Sequence, residues 1–309
     1  MDVDADGKSG FDEVREGVLS GRLDPRIALE CLLAVKLGLR STAIVTIPAE
    51  LPDGEVLGAQ VDYEFKCRLA GQAPDLKTRL SDTVQRKKMP PVAFKAYLLR
   101  SSFERNVIGS ESYRAHRRAA EELGLEVMQS EVRPTIREWY LCLPENREAV
   151  SEVLRRRHEI QKEMRRRFKP GDPIEFYIYP EERDPEHLRA LGALLGYPPC
   201  CVEEYLKERV TDEDAPAETP EERAARQVAR WSAEKGSDPP AAAYWLKDFF
   251  PCRPDCPEAS AKGDGLRRAL AVLDPELARR YDDIRRENLA RVRTGPEKIR
   301  EHEEWLRSR

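Results

Sequence analysis

The sequence has no run of about 18 consecutive apolar residues, the least that crosses a bilayer as a helix, so no membrane span is expected. It also has no basic leader. Met1-Asp2-Val3-Asp4 opens the chain with acid where a secretory signal carries lysine or arginine, and a cytoplasmic location is expected. Neither Gly-x-Gly-x-x-Gly nor a Gly-Lys-Ser/Thr phosphate loop occurs, which argues against the common dinucleotide and nucleoside-triphosphate enzymes. Aromatic residues are scarce, at 7%, and no repeat period marks a solenoid. Positive charge is not in excess: a net charge of -4 argues against indiscriminate binding to nucleic acid. Seven cysteines in 309 residues are too sparse for a secreted disulfide scaffold.

What is present is a charged globular composition, 36% Asp, Glu, Lys and Arg against 40% hydrophobic residues, in a chain long enough for two cores. The fold class expected is α+β, an N-terminal mixed α/β region over 1–180 followed by a helix-rich, cysteine-bearing region over 181–309. Asp24-Pro25 starts a helix to about Lys36 whose apolar face includes Cys31. Ser41 to Ile47, Val56 to Cys67, Val92 to Leu99, Leu125 to Gln129, Ile136 to Leu143 and Ile174 to Tyr179 read as strands. Asp75 to Lys88, Glu111 to Leu123 and Glu145 to Lys169 read as helices. Beyond Pro180 the pattern is helical: 185–195, 199–209, 221–235, a short piece at 241–249, then 265–273, 275–293 and 296–306. Cys31, Cys67 and Cys142 sit among apolar neighbours and read as core.

Two charged segments invite a function. Residues 2–13 place carboxylates at Asp2, Asp4 and Asp6, glycine at Gly7, a carbonyl ligand at Lys8 and a bidentate carboxylate at Glu13. This resembles the calcium loop of EF-hand proteins, which implies a calcium ion there. The pattern departs at Ser9, where an apolar residue is usual. Residues 151–169 carry eight arginines or lysines against three glutamates, a local charge of +5, on a helix whose other face is Val150, Val153, Ile160, Met164 and Phe168. That patch offers a phosphate-binding surface for RNA or, more blandly, a solvated face paired with nearby acid such as Glu181 and Glu182. His158 reads as part of that face, and His116, His187 and His302 show no ligand-like spacing to the cysteines.

The remaining cysteines are clustered. Cys200 and Cys201 follow Pro199 in the first turn of a helix, where free amides stabilise thiolates. Cys252 and Cys256 stand in a proline-rich turn, Pro251-Cys252-Arg253-Pro254-Asp255-Cys256-Pro257, in which Arg253 would also favour a thiolate. Three chemistries suit them: thiolate ligation of an iron–sulfur cluster or zinc, disulfides between the segments, or a nucleophilic or redox thiol at Cys200 or Cys256. Tyr197, Glu203 and Ser260 are the nearest polar residues in sequence. All three chemistries require the four cysteines to converge.

The segments Gly196, Tyr197, Pro198, Cys200, Cys201 and then Pro251, Cys252, Cys256, Ser260 resemble an uncharacterised, largely archaeal protein family with Gly-Tyr-Pro-x-Cys-Cys and Pro-Cys-x-x-x-Cys-x-x-Ser motifs. The resemblance spans about residues 185–262. That family often has a histidine two places before the second proline, where this chain has Phe249. It implies a site and no named reaction. The functional expectation is a cytoplasmic metalloprotein with Cys200, Cys201, Cys252 and Cys256 as ligands of an iron–sulfur cluster or zinc. As an enzyme it would act on a small or nucleotide-like substrate. The alternative is an RNA-associated or assembly protein whose cysteines form structural disulfides.

Overall fold

The computed structural model describes residues 10–167, 179–209 and 219–307. The chain is a mixed α/β N-terminal region followed by a largely helical region that carries the clustered cysteines. It divides into two compact units, residues 1–32 with 43–141, and residues 33–42 with 142–309. This division differs from the boundary near Pro180 expected from the sequence, and places the long basic helix in the second unit. No helix among the described residues is long and apolar enough to cross a membrane.

In the first unit β1 (Thr42–Ile47), β2 (Glu126–Arg133) and β3 (Ile136–Cys142) form one sheet in the order β1-β3-β2. β2 and β3 are a hairpin across Pro134-Thr135. Trp139, Tyr140, Leu141 and Cys142 are buried on β3, and Tyr113 meets Trp139 edge-on at 4.9 Å. Helix α1 (Gly10–Leu19) packs on α6 (Glu111–Glu122). Asp24 accepts the amides of Arg26 and Ile27 at the start of the segment Ile27–Leu33, which is π-helical and continues as α2 (Ala34–Lys36). Asp2, Asp4, Asp6 and Lys8 of the expected calcium loop lie outside the described residues. Glu13 is in α1 and pairs with Arg22.

Two segments read as strands are helices: α3 (Gly54–Leu69) and α5 (Pro91–Phe103). Leu57, Val61 and Arg68 are buried on α3, and Phe94, Leu98 and Ser102 on α5, the one-face spacing of a helix. Periodicity outweighs the β-branched and aromatic residues that suggested extension, and Pro91 supplies a first-turn start. Cys67 is thus helical, not on a strand. The two helices, with α4 (Leu76–Lys88) between them in sequence, share the fully buried Arg68. Its guanidinium donates to both oxygens of Asp82 at 3.0 and 2.7 Å, to Glu64 at 3.2 Å and to Ser102 at 3.3 Å.

The second unit begins with α7 (Arg147–Arg167), buried through Val150, Val153 and Arg157, which packs on α8 (Pro185–Leu194). The strand expected over 174–179 falls almost wholly outside the described residues. Helix α9 (Pro199–Arg209) packs on α8; α10 (Pro220–Lys235) and α11 (Pro257–Leu273) pack on α12 (Pro275–Arg307). The break expected before Pro296 is absent: that proline is buried inside α12. The 241–249 piece contains one turn of 3-10 helix, Ala241–Ala243, packed on α11. At that contact a Cβ on Gly263 would lie 2.2 Å from the Ala242 carbonyl oxygen, so only glycine allows the approach. Trp245, Leu246, Phe249, Val228 and Leu289 form the core beside the cysteines.

Candidate metal centre

The first pair of cysteines is placed by a reversal between α8 and α9. Gly196 has φ +75, and a Cβ there would stand 2.9 Å from the Leu39 carbonyl oxygen; glycine satisfies both constraints. The Tyr197 amide returns to Gly192 O at 2.9 Å, and Pro198 O accepts the amides of Cys201 and Val202 at 2.9 and 3.1 Å. Pro199 opens α9 and sets Cys200 and Cys201 in its first turn.

The second pair is placed by the loop that leads into α11. The Cys256 amide donates to Arg253 O at 3.1 Å, closing a turn, and Cys256 itself precedes the first-turn Pro257 of α11. Side chains of α10 hold this loop. Arg223, buried, donates from Nη1 to Pro251 O at 2.9 Å and to Gln227 at 3.1 Å, and pairs with Glu208 of α9; Gln227 donates to Cys252 O at 3.3 Å. Arg223 therefore braces the loop of Cys252 against the helix of Cys201. Nothing in the local sequence marks Arg223 or Gln227, since an Arg four places before a Gln on a polar helix is ordinary.

These supports bring all four cysteines together, with every Sγ within 4.8 Å of the others. Cys200 Sγ lies 3.8 Å from Cys201 Sγ and 3.7 Å from Cys256 Sγ, and Cys201 Sγ lies 3.7 Å from Cys256 Sγ. A disulfide bond measures about 2.05 Å, so none of these pairs is bonded, and all four are free thiols. Cys201 and Cys256 are buried, and Cys200 reaches the surface. Adjacent cysteines normally diverge; here the first helical turn lets both point at the Cys256 sulfur.

The four thiols differ in their electrostatics. Burial pushes the Cys200 thiol up to about 12, helped by its hydrogen bond with Cys256. Burial also raises Cys201, and raises Cys252. Cys256 differs. Burial raises it, but the Ala259 amide in the first turn of α11 and hydrogen bonds with the other three thiols outweigh that and lower it. The Cys252 amide points at Cys201 Sγ at 3.4 Å, a donor to the sulfur that would carry negative charge. Among the described residues this is the one group of three or more His, Cys, Asp or Glu side chains arranged to hold a metal ion.

Other expected participants fall elsewhere. Arg253 pairs with Asp255 at 3.4 Å inside its own loop. Glu203 is exposed and engaged with Arg189 at 2.7 and 3.0 Å. Tyr197 packs on Phe249, centroids 5.0 Å apart, and Phe249, in the position where the resembled family often has histidine, is buried against Trp245. Ser260 follows Cys256 by four positions, one more than the Cys-x-x-Ser pattern. His116 accepts the Asp24 amide at 2.8 Å and bonds Ser112 O at 2.8 Å, a satisfied core histidine lowered by burial. His187 is buried and lowered by the same cause, and the side chain of His302 lies outside the described residues. A cleft of about 220 Å³ within the second unit reaches Cys201, lined also by Leu191, Tyr197, Tyr205, Phe249 and Phe250 among others.

The basic face of α7 is largely neutralised. Arg155 pairs with Glu152 and Glu159, Arg156 with Asp184 and Glu186, Arg167 with Glu163, and buried Arg157 with Glu181 at 2.7 Å. Comparison of the chain with protein-family models, with curated proteins and with solved structures found no match to any of them.

Proposed function

We propose that this protein is a zinc protein in which Cys200, Cys201, Cys252 and Cys256 hold one tetrahedral ion that ties the start of α9 to the start of α11. One observation carries the reading: Cys200, Cys201 and Cys256 hold their sulfurs 3.7–3.8 Å apart, with the Cys252 sulfur within 4.8 Å of all three. Zinc–thiolate bonds of about 2.3 Å in tetrahedral geometry put sulfurs about 3.75 Å apart. Thiolates ligating the corners of a four-iron cluster stand wider, on the order of 6 Å, because the cluster lies between them. A set confined within 4.8 Å supports a single ion. Four protein thiolates leave no open coordination position, which favours a structural ion over a catalytic one. The ion pairs along α7 favour this reading over one built on RNA, since Arg155, Arg156, Arg157 and Arg167 already meet carboxylates.

When bound, zinc would neutralise thiolates that the protein otherwise keeps protonated. Because burial raises Cys200, Cys201 and Cys252, the metal-free site carries protons near neutral pH and zinc uptake releases them, so affinity falls as pH falls. Protein purified without air and analysed for metal tests the proposal. The expected result is one equivalent of zinc, no visible absorption, and four cysteines protected from alkylation until chelator is added. Stoichiometric iron with visible bands, or metal-free protein whose four thiols alkylate at once, would overturn it.

A further inference from the structure

Helix α4 is amphipathic the wrong way round. Its one buried residue is Asp82, held by Arg68; at its edges Ser81 meets the Tyr97 hydroxyl at 3.0 Å, and Arg86 donates to Leu69 O at 2.8 Å and lies over the Phe94 ring at 5.1 Å. The apolar residues point out. Leu76, Leu80 and Val84, spaced i, i+4, i+8 along one face, are 71%, 59% and 47% exposed. Removing such side chains from water is the main favourable term of folding, and here a large part of it is left uncollected within the chain. A row of side chains at i±4n is also the ridge that packs into the grooves of a second helix.

The border of that ridge is positive. The helix carries Lys77, Arg79, Arg86, Lys87 and Lys88 against the single, buried Asp82. At 3.6 residues per turn Lys88 continues the i, i+4 row and Lys87 stands beside it at the end of the same face, while Lys77 lies on one flank and Arg79 on the other. We propose that the outward face of α4 docks an acidic amphipathic helix of a partner protein. Leu76, Leu80 and Val84 fill its grooves, and Lys77, Arg79, Lys87 and Lys88 meet its carboxylates. Charge decides among occupants. A second copy of α4 would bring like charges together, and nucleic acid would leave the leucines uncovered. An anionic bilayer is the weaker match, because the ridge is two turns long and has no tryptophan or phenylalanine to seat in the headgroups.

The test is fluorescence anisotropy of the full-length protein with a labelled synthetic helix. The peptide has leucines at i, i+4 and i+8 flanked by glutamates, and a lysine-flanked twin serves as control. Saturable, salt-sensitive binding of the acidic peptide alone is expected. Leu80→Glu should weaken it at least tenfold, with the thermal unfolding of the protein unchanged because the side chain is exposed. Should Leu80→Glu perturb folding, the Lys77→Glu/Lys87→Glu/Lys88→Glu variant carries the same test, and it should transfer preference to the lysine-flanked peptide. Equal binding of both peptides, or no saturable binding of either, would overturn the proposal. So would sedimentation with phosphatidylglycerol vesicles, or a dimer in ultracentrifugation, that Leu80→Glu abolishes.

Discussion

Each unit is organised around a buried polar centre, and the two centres are built on opposite principles. In the first unit Arg68 ties α3, α4 and α5 together by presenting one cation to two carboxylates and a hydroxyl, so charge and hydrogen bonding are satisfied from within the chain. In the second unit the helix starts of α9 and α11 meet through four thiols, groups of one kind that gain little from each other and repel once ionised. The first centre is complete as folded. On the proposed reading the second acquires its stabilising energy from an ion, and the stability of the two units should therefore respond to different agents.

The largest expected effect is on the second centre. Structural zinc contributes on the order of 10 kcal/mol in small zinc domains, so Cys201→Ser or Cys256→Ser should remove the metal and melt the second unit well below the first. Calorimetry with and without chelator reads this: one transition moves and the other stays. Next comes the mirror experiment. Arg68→Ala strands Asp82 away from solvent, while Glu64 keeps Asn106 and Arg105; the cost is about 3–5 kcal/mol, and the loss should be the same with or without chelator. If instead Arg68→Ala changes zinc content, the two centres are not separate.

Arg223 sharpens the comparison, because it is a charged brace of the first kind serving the second centre. Arg223→Ala removes the bond to Pro251 O and leaves Glu208 without this partner. About 1–3 kcal/mol of stability should go, together with slower recovery of zinc after chelation, measured with a zinc indicator. Gly196→Ala should cost about 1–2 kcal/mol through its left-handed backbone, with a further cost from the 2.9 Å approach to Leu39 O. That loss should appear in the chelator-sensitive transition.

The smallest effect belongs to the first unit alone. Asp75 caps α4 and is held down to about 2 by the Thr78 amide, then by the Thr78 hydroxyl and Arg105. A depressed carboxylate stabilises the fold above its unfolded pKa, and the contribution disappears as pH falls through the folded value. The stability difference between the wild type and Asp75→Ala should thus be full above about pH 5 and fall to its floor only below about pH 2, in urea titrations across that window.

The contrast also explains what could be read from the sequence. The cysteine centre was legible because proline beside cysteine fixes backbone and places thiols at helix starts; α9 begins at Pro199, and Cys256 precedes Pro257, both readable without a structure. The Arg68 centre is hidden in the sequence, since the residues of α3 and α5 suggest strands, and only their helical form aligns Arg68 with Asp82 and Ser102. Val56, Tyr63, Phe65 and Val92 are β-forming types, but burial follows Leu57 and Val61, then Phe94 and Leu98. The strands β1 and β3 and the helices α4, α6 and α7 lie close to their expected spans, and β2 runs four residues past its expected end. The bracing of Pro251 by Arg223 depends on long-range packing, as does the joining of residues 33–42 to the second unit through Ser41 and Arg40 to Leu194 O and Leu195 O. No local pattern encodes such contacts.

The central claim, one ion held by four thiolates, is tested most directly by X-ray absorption at the zinc edge on protein purified without air. The expected spectrum contains four sulfur scatterers at about 2.3 Å and no metal–metal distance. Nitrogen or oxygen in place of one or more sulfurs, a second metal within cluster distance, or a sample with iron and no zinc would contradict it.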